Sequence, residues 1–156
     1  MNTIESSGSS YTNEFCGKEF IGKAISYLYR YEQIYIGKKI EPYGIGRGQF
    51  PFLMRLYHED GINQESLSNY LKIDKGNTAR AIKKLVDDGY VFRQKNEEDK
   101  RSYRIFLTEK GKKLEPELKK IASEWEEILF SSFDDSQRRE ITNSLEIMFE
   151  NVFKIM

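Results

Sequence analysis

Between Asn63 and Leu107 the hydrophobic period of the chain switches from that of helices to that of strands, and this switch constrains the fold more than anything else in its 156 residues. Asn63 can cap a helix from Gln64 to Leu71, with Leu67, Tyr70 and Leu71 on the inner face. Lys72-Ile73 make a brief break; Asp74 caps a second helix from Lys75 to about Asp88, and Gly89 stops it. Two short helices so closely spaced form a helix-turn-helix candidate. Tyr90 to Lys95 and Tyr103 to Leu107 are aromatic and β-branched runs on either side of the polar loop 96–102. In the second run Tyr103, Ile105 and Leu107 alternate with Arg104 and Phe106, as in a strand buried on one face. A hairpin in that position is a wing.

The flanks are helical. Ile21, Ala24, Ile25, Leu28, Tyr31 and Tyr35 recur at spacings of three and four between Cys16 and Lys39, and Pro42, Gly44, Gly46 and Gly48 end that helix. A short apolar helix carries Phe50, Leu53, Met54, Leu56 and Tyr57, and stops at Asp60-Gly61. Beyond the wing, Thr108 caps a long helix whose first turns are weakened by Gly111 and Pro116, and whose seam is Leu118, Ile121, Trp125 and Ile128. Asp134 and Gln137 form a capping box for a last helix with Ile141, Leu145, Met148, Val152 and Ile155 on one stripe. Both seams have a heptad character, which suits dimerisation. The expected fold is therefore mainly α, within the α+β class: a winged helix-turn-helix with a two-stranded wing. Residues 1–14 should be a loose tail, 15–48 and 108–156 a helical dimerisation region, and 49–107 a DNA-binding region.

The second helix of the motif carries the chemistry. On a wheel, Ala79, Ile82, Leu85 and Val86 share an apolar sector, while Asn77, Arg80, Ala81 and Lys84 fall opposite, with Gly76 and Lys83 beside them. Such a face suits the major groove: Arg and Lys donate to guanine, Asn pairs with adenine, and Ala approaches a thymine methyl. Lys75, Lys83, Lys72 and the wing bases Lys95, Lys100 and Arg101 would hold phosphates or reach the flanking minor groove. Glu97, Glu98 and Asp99 would repel phosphates, so at least one is expected to pair with a nearby base. A winged helix can also bind a protein partner through the same surface, and that interaction module is the alternative reading.

Twenty-five Lys and Arg balance 25 Asp and Glu, so the formal net charge is zero. The neutrality is a cancellation between a region 71–104 with balance +4 and a region 115–156 with balance −5. The lone cysteine, Cys16, excludes an internal disulfide. Without a signal-like stretch or a long apolar run, an intracellular, cytoplasmic protein that neither enters nor spans a membrane is expected. Nothing points to an enzyme, a metal or a cofactor. His58 has no second His or Cys to pair with, and Gly44-Ile45-Gly46-Arg47-Gly48 lacks a preceding strand and the dinucleotide spacing.

The segments 61–67, 74–91, Asp99-Lys100-Arg101-Ser102 and Leu107-Thr108-Glu109-Lys110-Gly111 together closely resemble the multiple antibiotic resistance regulator (MarR) family. The resemblance implies a homodimer that binds pseudo-palindromic double-stranded promoter DNA, usually as a repressor, and often releases it on binding a small aromatic or lipophilic effector. It departs from the family in one place, since the wing commonly reads Asp-Arg-Arg there and Asp99-Lys100-Arg101 here. An effector site where the first, second and fifth helices meet would include Tyr27, Tyr31, Tyr35, Phe50, Leu53 and Arg55, although aromatics on a helical stripe equally suit core packing. Some relatives sense peroxides through an early cysteine; Cys16 lies about two helical turns upstream of that position and reads as a bystander.

Overall fold

The computed structural model describes residues 21–97 and 99–156. The expected tail and Cys16 lie outside the described residues, as does Glu98. Helix α1 spans Ile21–Ile40 and runs into a 3-10 turn at Glu41–Tyr43; α2 is Phe50–His58, α3 Gln64–Leu71, α4 Lys75–Asp87, α5 Glu109–Leu129 and α6 Asp135–Phe153. Strands β1 (Ile62–Asn63), β2 (Val91–Lys95) and β3 (Tyr103–Leu107) form one antiparallel sheet in the order β1-β3-β2.

Each expected cap is made. Asn63 accepts the Glu65 N–H at 2.8 Å, Asp74 the Asn77 N–H at 2.9 Å, and Thr108 Oγ1 the Gly111 N–H at 3.1 Å. Asp134 and Gln137 exchange reciprocal bonds at 2.9 and 3.0 Å. These side chains satisfy backbone donors that a helix start would otherwise leave open.

The core lies under the helix-turn-helix, where Leu53, Leu56, Leu67, Ile82, Leu85, Ile105 and Leu118 are wholly buried. Burial of each such side chain contributes about 1.5–3 kcal/mol. Helix α5 crosses this core and carries α1 against its other side. Its start is locked to the end of α4 and to α2: Thr108 Oγ1 donates to the Gly89 carbonyl at 2.6 Å, Thr108 N–H to the Tyr90 carbonyl at 3.0 Å, and the Tyr57 hydroxyl of α2 to the Gly111 carbonyl at 3.0 Å. Gly111 is required there, since a Cβ would stand 2.2 Å from the Tyr90 carbonyl oxygen.

Two expectations change. The sheet has a third strand: Ile62 and Asn63 pair with Ile105 and Arg104, and the Asp60 carboxylate accepts the Leu107 N–H at 2.8 Å. Gly61, at φ 78°, makes the turn into β1 with the Phe106 ring packed over it. Tyr70 is 63% exposed rather than inward-facing, and Ser68 takes the buried position beside Leu67 because its Oγ donates to the Ile73 carbonyl at 2.6 Å.

Helix α6 has no buried residue. Leu145, Met148, Phe149, Val152 and Phe153 all stand open to solvent, as do Ile25, Leu28 and Tyr31 on α1. No helix of the described residues is long and apolar enough to cross a membrane.

Candidate nucleic-acid interface

The turn before α4 fixes that helix in place. Lys72 takes a left-handed conformation, φ 55°, as α3 ends, and the Ile73 carbonyl accepts hydroxyls from Ser68 and, at 3.4 Å, Thr78. Thr78, Ala81, Ile82 and Leu85 face the core, at i, i+3, i+4 and i+7. Ala81 is therefore not on the outer face: it is 6% exposed. Thr78, polar on paper but buried through its bond to Ile73, moves the centre of the inner sector, and Ala81 falls within it.

What remains outside is Lys75, Gly76, Asn77, Arg80, Lys83 and Lys84, all exposed, with no carboxylate on α4 before Asp87. Three of the lysines are braced by acids: Lys75 to Glu65 at 2.6 Å, Lys83 to Asp87 at 2.6 Å and Lys84 to Asp88 at 2.9 Å. Exposed pairs of this kind contribute little stability and exchange readily for a phosphate. Asn77 bridges the Asp74 carboxylate and the Arg80 guanidinium. The Asn77 backbone N–H, and then its side-chain amide, hold the Asp74 carboxyl below its usual range.

The wing is tied to the same helix. Arg93 Nη2 donates to the Ala79 carbonyl at 3.4 Å. A groove of 160 Å³ between the wing, the start of α3 and α4 is lined by Asn63, Glu65, Lys75, Thr78, Arg101 and Tyr103, so Lys75 and Arg101 border one channel. Lys72, Lys95, Lys100 and Arg101 are exposed. Among the three wing carboxylates, Asp99 has a local role. Its Oδ1 accepts the Arg101 backbone N–H at 3.0 Å while its carbonyl accepts from Ser102, so it caps the tip turn instead of pairing with a base side chain.

The six residues expected at an effector site do not converge. Leu53 lies inside the core, 0% exposed. The Tyr35 hydroxyl donates to Glu124 at 3.2 Å and its ring packs on Trp125, on the α5 side. Tyr27 and Tyr31 point outward from α1. Only Phe50 and Arg55 meet, in a cleft of 600 Å³ that also takes Tyr29, Glu32, Met54, His58, Lys72 and Ile73. Of the expected α1 stripe Tyr35 packs on α5, whereas the cleft uses the neighbouring flank, Tyr29 and Glu32. Arg55 stacks 4.1 Å over the Tyr70 ring and pairs with Glu59, and its buried Nε has no hydrogen-bond partner among the described residues. Burial, with Glu126 nearby, raises the Glu32 carboxyl above its usual range. No group of three metal-ligating side chains occurs among the described residues.

Comparison with known proteins agrees with this geometry. The sequence profile of the MarR family matches residues 45–103. The uncharacterized HTH-type transcriptional regulator YybA of Bacillus subtilis is 36% identical over 106 residues, 68% of this chain and 71% of its own length. The crystal structure of a MarR transcriptional regulator from Methanosarcina mazei Go1 is 87% identical, with a TM-score of 0.86 over 89% of this chain and 100% of that one. A MarR-family regulator from Listeria monocytogenes, solved in complex with a 26mer DNA, is 28% identical with a TM-score of 0.79, over 83% of this chain and 87% of its own. With its helix-turn-helix, wing and basic outer face in the arrangement described, the chain belongs to the MarR family and is a DNA-binding transcriptional regulator.

Proposed function

We propose that the chain is a ligand-responsive repressor, acting in the cytoplasm, that binds pseudo-palindromic promoter DNA as a homodimer. The observation that carries the reading is the outer face of α4, where Lys75, Arg80, Lys83 and Lys84 project from a helix clamped on its inner side. Arg80 and Lys84 donate to base edges; Lys72, Lys75, Lys83, Lys95, Lys100 and Arg101 hold phosphates, which position but do not specify. The DNA complex of the Listeria monocytogenes relative supports the same use of this fold.

One recognition helix reads few base pairs, so two must be held about 34 Å apart to match successive major grooves. The region 49–107 would read DNA, while 15–48 and 108–156 would join two copies. The exposed apolar faces of α1 and α6 support this, because large exposed apolar faces mark interaction sites and two copies would bury them. The acidic end, 115–156, then points away from the phosphates. The cleft between α1, α2 and the turn at Lys72-Ile73 is the effector site: its walls are aromatic, and the orphaned Arg55 Nε is a donor for a carboxylate. A ligand there presses on the turn that sets the angle of α4.

Anisotropy titration on fluorescent duplexes of the DNA upstream of the protein's own gene, searched for an inverted repeat, tests the reading. Arg80→Ala should lose about 1–3 kcal/mol on that repeat and relax one position per half-site, whereas Lys83→Ala should weaken every sequence alike. The logarithm of the affinity should fall by about 0.9 per neutralised phosphate per logarithmic unit of salt. An unchanged affinity for Arg80→Ala removes the helix-face assignment, and a flat salt slope favours a protein partner instead.

A further inference from the structure

Three side chains on the outer edge of α4 form a directed chain. Asp74, the N-cap, accepts the Asn77 backbone N–H on Oδ1 at 2.9 Å and the Asn77 side-chain amide N–H on Oδ2; Asn77 Oδ1 in turn accepts from Arg80 Nη2. A carboxylate only accepts and a guanidinium only donates, so the amide between them has one orientation, its NH2 toward Asp74 and its oxygen toward Arg80. Both polar atoms of Asn77 are thus engaged inside the protein, one on each flank. Of the five donors of Arg80, one is spent on Asn77; guanine O6 and N7 need only two of the remainder. The hydrogen bonds from Asn77 depress the Asp74 carboxyl, as bonds made to its ionised, accepting form do.

We propose that Asp74 and Asn77 are positioning residues that aim the Arg80 guanidinium at a guanine in each half-site, and that Asn77 contacts no adenine of its own. This departs from the adenine contact expected of Asn77, and it rests on α4 entering the major groove. An arginine held by one nitrogen arrives at the groove with fewer rotamers to lose, which is how a supporting residue sharpens base discrimination without touching the base.

The test is selection from a random-sequence duplex library with the full-length wild type, Arg80→Ala, Asn77→Ala and Asp74→Asn. Asp74→Asn keeps an oxygen able to cap the helix, but its NH2 cannot accept from Asn77, so the amide must turn its own NH2 toward the guanidinium. All three variants should lose, by about tenfold, the guanine preference at the same base pair of each half-site, with preferences elsewhere unchanged. Asn77→Ala relaxing a different base pair, Asp74→Asn keeping the wild-type profile, or a loss spread evenly over all positions overturns the relay. If Asp74→Asn fails to fold, Asn77→Ala, at an exposed position, decides alone. A wild type that enriches no sequence overturns the groove reading and the relay with it; a wild type that enriches a repeat isolates the relay as the part that fails.

Discussion

Replacing Gly111 by alanine separates tertiary packing from helix propensity, because the two predict opposite signs. Gly111 is in the first turn of α5, where alanine would favour the helix by about 1 kcal/mol. Its Cβ, however, would stand 2.2 Å from the Tyr90 carbonyl oxygen and 3.2 Å from Leu107 Cδ2. Ordinary carbon to oxygen contacts begin near about 3.3 Å, so α5 and the Tyr90 peptide must part by about 1 Å. That carbonyl is not free to retreat: it accepts the Thr108 N–H at 3.0 Å, and the Gly111 carbonyl accepts from Tyr57 at 3.0 Å. Overpacking costs about 1–3 kcal/mol, and losing two of these bonds costs about 1 kcal/mol each. Set against the propensity gain, the net loss is about 2–4 kcal/mol, a large share of the 5–15 kcal/mol of about a typical domain. Urea denaturation followed by circular dichroism, at one fixed protein concentration, measures it. Gly22→Ala is the control, since nothing among the described residues lies within 4 Å of its added methyl, and it should gain up to about 1 kcal/mol. A Gly111→Ala protein as stable as the wild type would refute the close approach of α5 to Tyr90.

Three further outcomes are expected. Met148→Glu with Val152→Glu, both on the exposed stripe of α6, should shift sedimentation from dimer to monomer while leaving far-ultraviolet circular dichroism intact; a dimer that persists assigns the association elsewhere. Hydrogen bonds from Lys39 and then Tyr35 hold the Glu124 carboxyl below its usual 4.5, and a depressed carboxyl stabilises the fold above its unfolded value and loses that contribution as pH falls through the folded one. Glu124→Gln should therefore be the less stable protein at neutral pH, with the gap closing as the solution is acidified below 4.5; a gap independent of pH would contradict the ion pair. Benzoate should raise Tm more than the uncharged benzamide, and Arg55→Gln should abolish that difference; equal shifts for the two compounds would remove Arg55 as the carboxylate donor.

The parts of the fold that the sequence disclosed are those governed by local chemistry. Asn63, Asp74, Thr108 and the Asp134–Gln137 pair are caps because a short oxygen-bearing side chain precedes an apolar period, and no distant residue is needed to make them so. What was not legible depends on partners far along the chain. The two residues of β1 are too short to show a period, and their pairing is imposed by β3, more than forty positions away, through Gly61 and the Asp60 carboxylate. Thr78 reads as polar until the Ile73 carbonyl is brought to it, and that error carried Ala81 to the wrong face. The stripe chosen for the effector set shows the same limit. A helical stripe identifies a face, but Tyr35 is drawn to Glu124 and Trp125 on α5, while the adjacent flank of α1 borders the cleft.

Helix α6 has no buried residue within its own protomer, and in the proposed homodimer this would make the regulator responsive to its own abundance. A protomer can complete its core without α6, so assembly is a separate equilibrium from folding and depends on how much protein the cell holds. Below the assembly constant, dimers grow as the square of protomer concentration, and so does occupancy of a two-half-site repeat. A modest change in expression then becomes a steeper change in transcription, a gain built into the switch before any effector arrives.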